Sequence, residues 1–558
     1  LLALAVVAGP LLFLNRSYPL MEPDEGRYAE VVREMVSSGD WVVPTLNHAP
    51  FLDKPPLFYW LVGGSFRAFG MTGAAARLVP TSAAFLTIVA IYLFGRRVAG
   101  ARAAFLAALA LALMGGFIQC GRVLILDSLL TLCVTLALLT AYEAVRGGQV
   151  RWAWWLGSAL CCALGVLTKG PVALVLLAPP VAAHVWLRRN ATRLSLAHWA
   201  TYGGLVVGLA APAYAAIIHR DPHFAYRFFV DQHLVRFFRN EYHLRPVWYY
   251  VPVLLVGCLP WSVLLVPLTR FLFSRSPEVK AARPKALGFF LLWAGWCVLF
   301  FSVSRSKLPP YVLPALPPAA LLVGCYLDRV LSGKFPAVDF GLSPGTTPRL
   351  AALLLSAVLI AASLGAWSLG LLGPVAAFTQ AGLCAGCLTG AACWGARLPA
   401  RGGWLLCGML GAGVAVVAAH EIVPAWSHRR DPLACSPAVG ALLQDSRTAV
   451  VCSGGEWGSI LFYLGRDHAV FNYSDQPPGE LAKFLRRFPR SLLVGRHRED
   501  LQRLREDIPA RMEIVPLGEA GDIRVALVRP SSQPGPARAR NGSQAPAGTK
   551  VLLTPRSN

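Results

Sequence analysis

Apolar runs separated by polar segments dominate the chain up to about Ile422. A run needs roughly 20 residues to cross a bilayer as a helix. By that measure candidate spans lie near residues 74–94, 103–120, 124–143, 152–168, 171–187, 199–218, 247–270, 286–303, 309–327, 350–371, 374–395 and 403–424. Leu1–Leu14 is apolar but shorter, lacks a cleavage region of signal-peptide type and does not open on Met, so it reads as a truncated first helix. With it, the pattern predicts about thirteen membrane helices.

The first long polar break, Glu22–Phe69, is organised differently. Tyr28, Val31, Val32, Met35 and Val36 fall at i, i+3, i+4, i+7 and i+8, one face of a helix that opens on Asp24 and Glu25. Pro55 and Pro56 suit the first turn of a second helix carrying Leu57, Phe58, Trp60, Leu61, Phe66 and Phe69. Both helices are expected to lie flat on the bilayer surface. Between them, Asp53-Lys54-Pro55-Pro56 holds a cation on a proline-stiffened backbone near the two carboxylates.

After Ile422 the pattern changes to short strands at 449–452, 491–494 and 523–528, interleaved with a charged helical segment at 498–507. Residues 425–530 are expected to form a small soluble α/β domain, and 531–558, rich in Pro, Gly, Ser and Arg, a disordered tail. The fold class is therefore an all-α polytopic membrane protein, residues 1–424 with a first outer loop at 16–73, carrying a small C-terminal α/β domain.

Composition agrees: 55% of the 558 residues are hydrophobic and 15% charged, too apolar for one soluble domain. The net charge of +23 would suit a nucleic-acid binder, but much of it sits in short loops between apolar runs, where it reports topology instead. Loops with Arg96, Arg97 and Arg102, with Arg146 and Arg151, and with Arg188, Arg189 and Arg193 are expected in the cytoplasm. The first polar break, 121–127, 168–171, 219–246 and 304–310 then face the periplasm or another lumen, and an odd number of spans leaves the C-terminal domain on that side too. Most of the thirteen cysteines, the Cys384/Cys387 pair included, lie in apolar runs; Cys435 and Cys452 are either a disulfide or two thiols. No Cys/His spacing of metal type appears.

The outward loops gather the ionisable residues. Asp24 suits a general base acting on an acceptor hydroxyl, and equally an ordinary helix N-cap. Lys54 suits a site where negative charge develops on a leaving phosphate, with snorkelling to headgroups as the plainer role. Arg27 and Lys307 invite the same two readings. Loop 219–246 sets Arg227, Asp231, His233, Arg236, Arg239, Glu241, His243 and Arg245 among aromatic residues, fit for a phosphate or for one or two metal ligands; Asp53 with His233 is the metal pair to test. Asp127, a turn into an apolar run, needs a partner such as Arg122 or a polar cavity, as a structural or second acid.

Four segments, PDEGRYAEVVREMVSSGDWVVPTLNHAPFLDKPPLFYWL, GVLTKGPVALVL, FFVDQHLVRFFRNEYHLRPVWYYVPVLLVGCLPW and SRSKLPPYVLPALPPAALLVG, resemble the ArnT-like membrane glycosyltransferases of the GT-C superfamily, to which the protein O-mannosyltransferases also belong. The resemblance extends to about Val330. It implies a GT-C fold and an enzyme of the bacterial inner membrane that moves a sugar from a polyprenyl (undecaprenyl) phosphate donor to a lipid A-like, protein or glycan acceptor at the periplasmic face. Asp24 then matches the catalytic aspartate, with Glu25 beside it, and Lys54 the lysine at the donor phosphate; Arg27, Asp127, Lys307 and Tyr311 fall at family-like positions. Arg236 and Arg239 join the phosphate-binding set. Asp53 stands where many members have Glu, so a divalent metal there is an option and not a requirement. A single displacement would invert the anomeric carbon. The alternatives are a polyprenyl-linked flippase or transporter and an oligosaccharide ligase. Membrane lipids are expected partners, nucleic acid is not.

Overall fold

The computed structural model describes residues 1–188, 192–239, 243–332, 346–371, 373, 381–382, 400–445, 447–454, 457–464, 469–473, 479–496, 504–505, 507–520 and 523–531. The chain divides into two compact units. The first comprises Leu1–Cys435 and Glu456–Asp467, the second Ser436–Gly455 and His468–Asn558.

The first unit is helical. Helix α1 (Leu2–Phe13) is followed by α2 (Asp24–Ser38) and α3 (Leu57–Phe69), then by α4 (Leu78–Val98), α5 (Asp127–Val145) and α6 (Trp152–Lys169). Among the described residues five helices are long and apolar enough to cross a membrane, or seven when each of two bent pairs counts as one span. Other expected spans are helices too short or too polar for that test, and most of 374–395 lies outside the described residues. Two spans read as straight are broken: Ala101–Ala112 and Gly115–Arg122 meet at 61°, and Val247–Gly257 and Trp261–Phe273 at 110°. The two breaks are joined, Gly115 N donating to the Leu259 carbonyl at 3.2 Å. Buried Arg122 sends its guanidinium to the carbonyls of Leu11 (2.7 Å), Leu14 (2.8 Å), Asn15 (2.7 Å) and Ala419 (3.0 Å), so it caps the end of α1.

Helices α2 and α3 form where the spacing places them, but α2 does not present a polar face to water. Tyr28, Val31, Val32 and Met35 pack with Phe58, Tyr59, Val62 and Phe66 of α3, and Glu25, Glu30, Arg33 and Glu34 on the other faces are buried as well. Local pairing makes this affordable. Arg33 forks onto Glu30 with two 2.7 Å bonds. Glu34 accepts from the Thr45 hydroxyl (2.5 Å) and the His48 amide (3.2 Å) of the hairpin joining β1 (Thr45–Leu46) and β2 (Ala49–Pro50). An outer-surface helix predicted from apolar spacing alone is thus a buried one, because its polar residues are consumed internally.

The second unit has a five-stranded sheet of β3 (Ala449–Ser453), β4 (Val470–Asn472), β5 (Ser491–Gly495), β6 (Met512–Ala520) and β7 (Ile523–Pro530) in the order β4-β3-β5-β7-β6. β3 runs parallel to β4 and β5, and β7 antiparallel to β5 and β6. Buried on both faces, β3 and β5 are the continuous apolar runs visible in the sequence, whereas β6, half-exposed and interrupted at Pro516/Gly518, gave no such signal. Most of 498–507 and all but Ser531 of the expected tail lie outside the described residues. Cys435 and Cys452 fall in different units and are both thiols.

Candidate active site

Asp24 is the first residue of α2, its side chain 46% exposed and its Oδ1 4.0 Å from the Arg27 guanidinium one turn on. Its neighbour Glu25 is a different kind of residue. Expected beside Asp24 in the chemistry, Glu25 is buried at 1% and wholly engaged. Arg77, from the start of α4, bonds both its oxygens at 2.8 and 2.6 Å, and the amides of Leu124 (2.8 Å) and Met21 (2.9 Å) take the remaining lone pairs. Arg77 also donates to the carbonyls of Arg16, Tyr18 and Pro19 and stacks 3.7 Å over the Tyr18 ring. Glu25 is therefore a structural anchor for the first turn of α2.

A cavity of about 510 Å³ with a mostly apolar wall is lined among others by Asp53, Lys54, Lys169, His233, Arg236 and Tyr311. Lys54, on the Pro-Pro entry to α3, donates to its neighbour's carbonyl, the Asp53 oxygen, at 3.0 Å. Burial pulls its ammonium down to about 8; Asp53 and Asp127 oppose that, while the Arg236 and Lys169 charges reinforce it. Lys169 closes α6 and pairs with Asp127, the first residue of α5, at 2.6 Å, its ammonium 4.5 Å over the Tyr311 ring. Tyr311 in turn accepts from Arg236 at 2.9 Å, and Arg236 donates to Gln232 at 3.0 Å. Asp24 shares this neighbourhood: buried Tyr28 has its phenol raised by burial first, then by the charges of Asp24 and Asp127.

Several expected residues go elsewhere. Asp127 pairs with Lys169 and not with Arg122, whose guanidinium is spent on carbonyls. Lys307 is buried and turned inward, its ammonium bound to the carbonyls of Arg245 (3.1 Å) and Ser304, so it closes the strut that ties Phe237 and residues 243–245 to 304–307 and is not part of the cavity lining. Arg239 is exposed and outside the lining. Arg27 lies beside Asp24, also outside it. Glu241 is not among the described residues.

Asp53 and His233 line the same cavity, yet both ring nitrogens of His233 face backbone carbonyls, Nδ1 that of Phe228 at 2.6 Å and Nε2 that of Lys169 at 3.4 Å. Burial lowers its pKa. Gly170 makes this closure possible, since a Cβ there would sit 2.7 Å from His233 Nε2. Among the described residues no three His, Cys, Asp or Glu side chains gather as a metal shell would require.

The sequence did not single out Lys169 or Arg77. Lys169 carried a usable signal, because Lys169-Gly170-Pro171 repeats the stiffened lysine of Lys54-Pro55 at the end of an apolar run. Arg77 is a lone cation in an apolar stretch, which demands a buried acid somewhere.

Residues 53–215 match the family of dolichyl-phosphate-mannose-protein mannosyltransferases. The crystal structure of ArnT from Cupriavidus metallidurans bound to undecaprenyl phosphate superposes with a TM-score of 0.74, over 96% of this chain and 99% of that one, at 23% identity. The chain has the fold of that structure. The undecaprenyl phosphate-alpha-4-amino-4-deoxy-L-arabinose arabinosyl transferase of Aeromonas hydrophila is 34% identical to it over 322 residues, 57% of this chain and 58% of the relative. That of Yersinia enterocolitica is 35% identical over 330 residues, 58% of each. The chain thus matches 58% of the length of these relatives.

Proposed function

We propose that this chain is a glycosyltransferase of the bacterial inner membrane, taking a sugar from an undecaprenyl phosphate-type donor and passing it to an acceptor at the periplasmic face. The observation that carries this is the convergence of Lys54, Lys169, Arg236 and Tyr311 on one mostly apolar cavity, with Asp24 and Asp127 both acting on the buried Tyr28 phenol. Fixed cations in an apolar wall suit a lipid phosphate that gains charge as it leaves.

In this reading Asp24 takes the proton of the acceptor oxygen, which attacks the anomeric carbon. The bond from that carbon to the phosphate oxygen breaks with its electron pair on the phosphate, and Lys54, Lys169 and Arg236 hold the product; one displacement inverts the anomeric centre. Asp127 orients Lys169, and Tyr311 orients Arg236. No metal is needed, because the lysines and the arginine supply the positive charge and His233 is directed at carbonyls. The names of the relatives make 4-amino-4-deoxy-L-arabinose the first sugar to try. Lipid A-like, protein and glycan acceptors are the arms of the test.

Membranes holding wild type or Asp24→Asn are supplied with radiolabelled undecaprenyl phosphate-linked sugar, and lipid, protein and glycan fractions are counted. Label in one fraction, lost by roughly 10²–10⁴-fold in Asp24→Asn, is expected. Equal transfer by both would remove Asp24 as base. No transfer by either, with labelled lipid crossing the bilayer, would favour the flippase reading.

A further inference from the structure

The segment between β3 and β4 leaves the second unit's sheet, and residues 456–467 belong to the first unit. Its helix α7 (Gly458–Leu464) is built into the core around α2 and α3. Phe462 is buried with its ring 5.7 Å from that of Phe66, and the Tyr463 hydroxyl accepts from the Leu20 amide at 3.0 Å. At its start the helix meets the catalytic turn backbone to backbone. A Cβ on Gly458 would lie 2.7 Å from the Arg27 Cα and closer still to the Arg27 nitrogen, and a Cβ on Gly26 would lie 2.6 Å from the Glu22 Oε1. Only glycine at both positions allows that approach. The Ser459 amide donates to the same Glu22 oxygen at 2.5 Å.

Along the chain Asp24 thus lies between two carboxylates held by different elements. Glu25 is anchored by Arg77, and Glu22 by the first turn of α7. Contacts of this closeness do not merely fill space. The Glu22 bond and the Gly26–Gly458 approach fix the translation and rotation of residues 22–27, and so the placement of Asp24.

We infer that α7 is a positioning element for the reaction, with Glu22 and Gly458 as positioning residues that set Asp24 through the backbone of α2 without touching substrate. This rests on the reading of Asp24 as the base. A base displaced by about 1 Å loses on the order of 100-fold in rate while the phosphate cradle, built from Lys54, Lys169 and Arg236, is unaffected.

The test is steady-state transfer by the full chain in detergent, with binding of undecaprenyl phosphate measured separately. Gly458→Ala and Glu22→Ala are expected to lower kcat by roughly 10- to 100-fold with donor KM and undecaprenyl phosphate affinity unchanged. Glu22→Gln, which keeps an oxygen for the Ser459 amide, is expected to restore most of the rate. Retained lipid phosphate binding certifies the fold of each variant, and if Gly458→Ala fails to fold, Glu22→Ala and Glu22→Gln decide. Wild-type kcat in Glu22→Ala, a rise in donor KM with kcat unchanged, or equal loss in Glu22→Ala and Glu22→Gln would overturn the inference. Should Asp24→Asn be inactive while these variants are normal, the positioning role alone falls; should Asp24→Asn remain active, the reading of Asp24 as the base falls with it.

Discussion

Lys54 carries a pH dependence that follows from where it sits. Its ammonium titrates near 8 in place of the ordinary lysine range, because burial among other cations disfavours the charged form. On the proposed reading it is charged below that value and attracts the donor phosphate; as pH rises through it, the attraction is lost. Donor KM is therefore expected to climb between about pH 7.5 and 9, and Lys54→Arg, whose guanidinium stays protonated, to flatten the profile. Lys54→Ala should raise donor KM by roughly 10- to 100-fold at pH 7, the value of a charge-assisted hydrogen bond. A pH profile identical in wild type and Lys54→Arg would detach Lys54 from the donor. Lys54 itself was legible in the sequence, since a lysine before two prolines stands out at the edge of an apolar run. Lys307, flanked by the same kind of proline pair, was not separable from it, because the choice between pointing to the cavity and pointing to the Ser304 carbonyl is made by the strut with Phe237 and residues 243–245.

Among the elements, α2 shows how far spacing can go. Its extent and buried apolar face follow from residues 28–36 alone, but its environment depends on partners 50 to more than 400 positions away. The Glu25–Arg77 pair is the strongest of these. Arg77→Ala would leave a carboxylate buried without its cation and is expected to cost about 3–5 kcal/mol of stability. Thermal unfolding in detergent checks this, and Glu25→Gln combined with Arg77→Met should recover part of the loss, as removing both charges avoids the unpaired one. Bent spans were invisible for a related reason: hydropathy is a sum along the chain and does not register a turn at Pro260 or the Gly115–Leu259 bond that holds it.

For the whole molecule, the alternating basic loops make a directional statement. Reporter fusions ending after Gly148, in the loop of Arg146 and Arg151, are expected to report the cytoplasm, and fusions after Asp221 the opposite side, just before the cavity-lining residues of 228–238. The same side for both fusions would remove the charge argument for orientation. The general plan, many apolar helices and then a small α/β unit, was readable because hydrophobic runs and strand runs are local signals. The division of the chain was not, since residues 456–467 return to the helical unit by contacts that no local pattern announces.

The return of α7 also sets a clock. During synthesis the first turn of α2 is made early, yet the Glu22 carboxylate meets the Ser459 amide only after more than 400 further residues have been added. At ordinary elongation rates that delay is on the order of a minute. A nascent chain can thus occupy the membrane, with its cationic cavity already assembled, while its base is still unaligned. On the proposed reading, lipid-linked sugar encountered in that interval would be bound and not consumed, and catalytic competence would wait for the synthesis of α7.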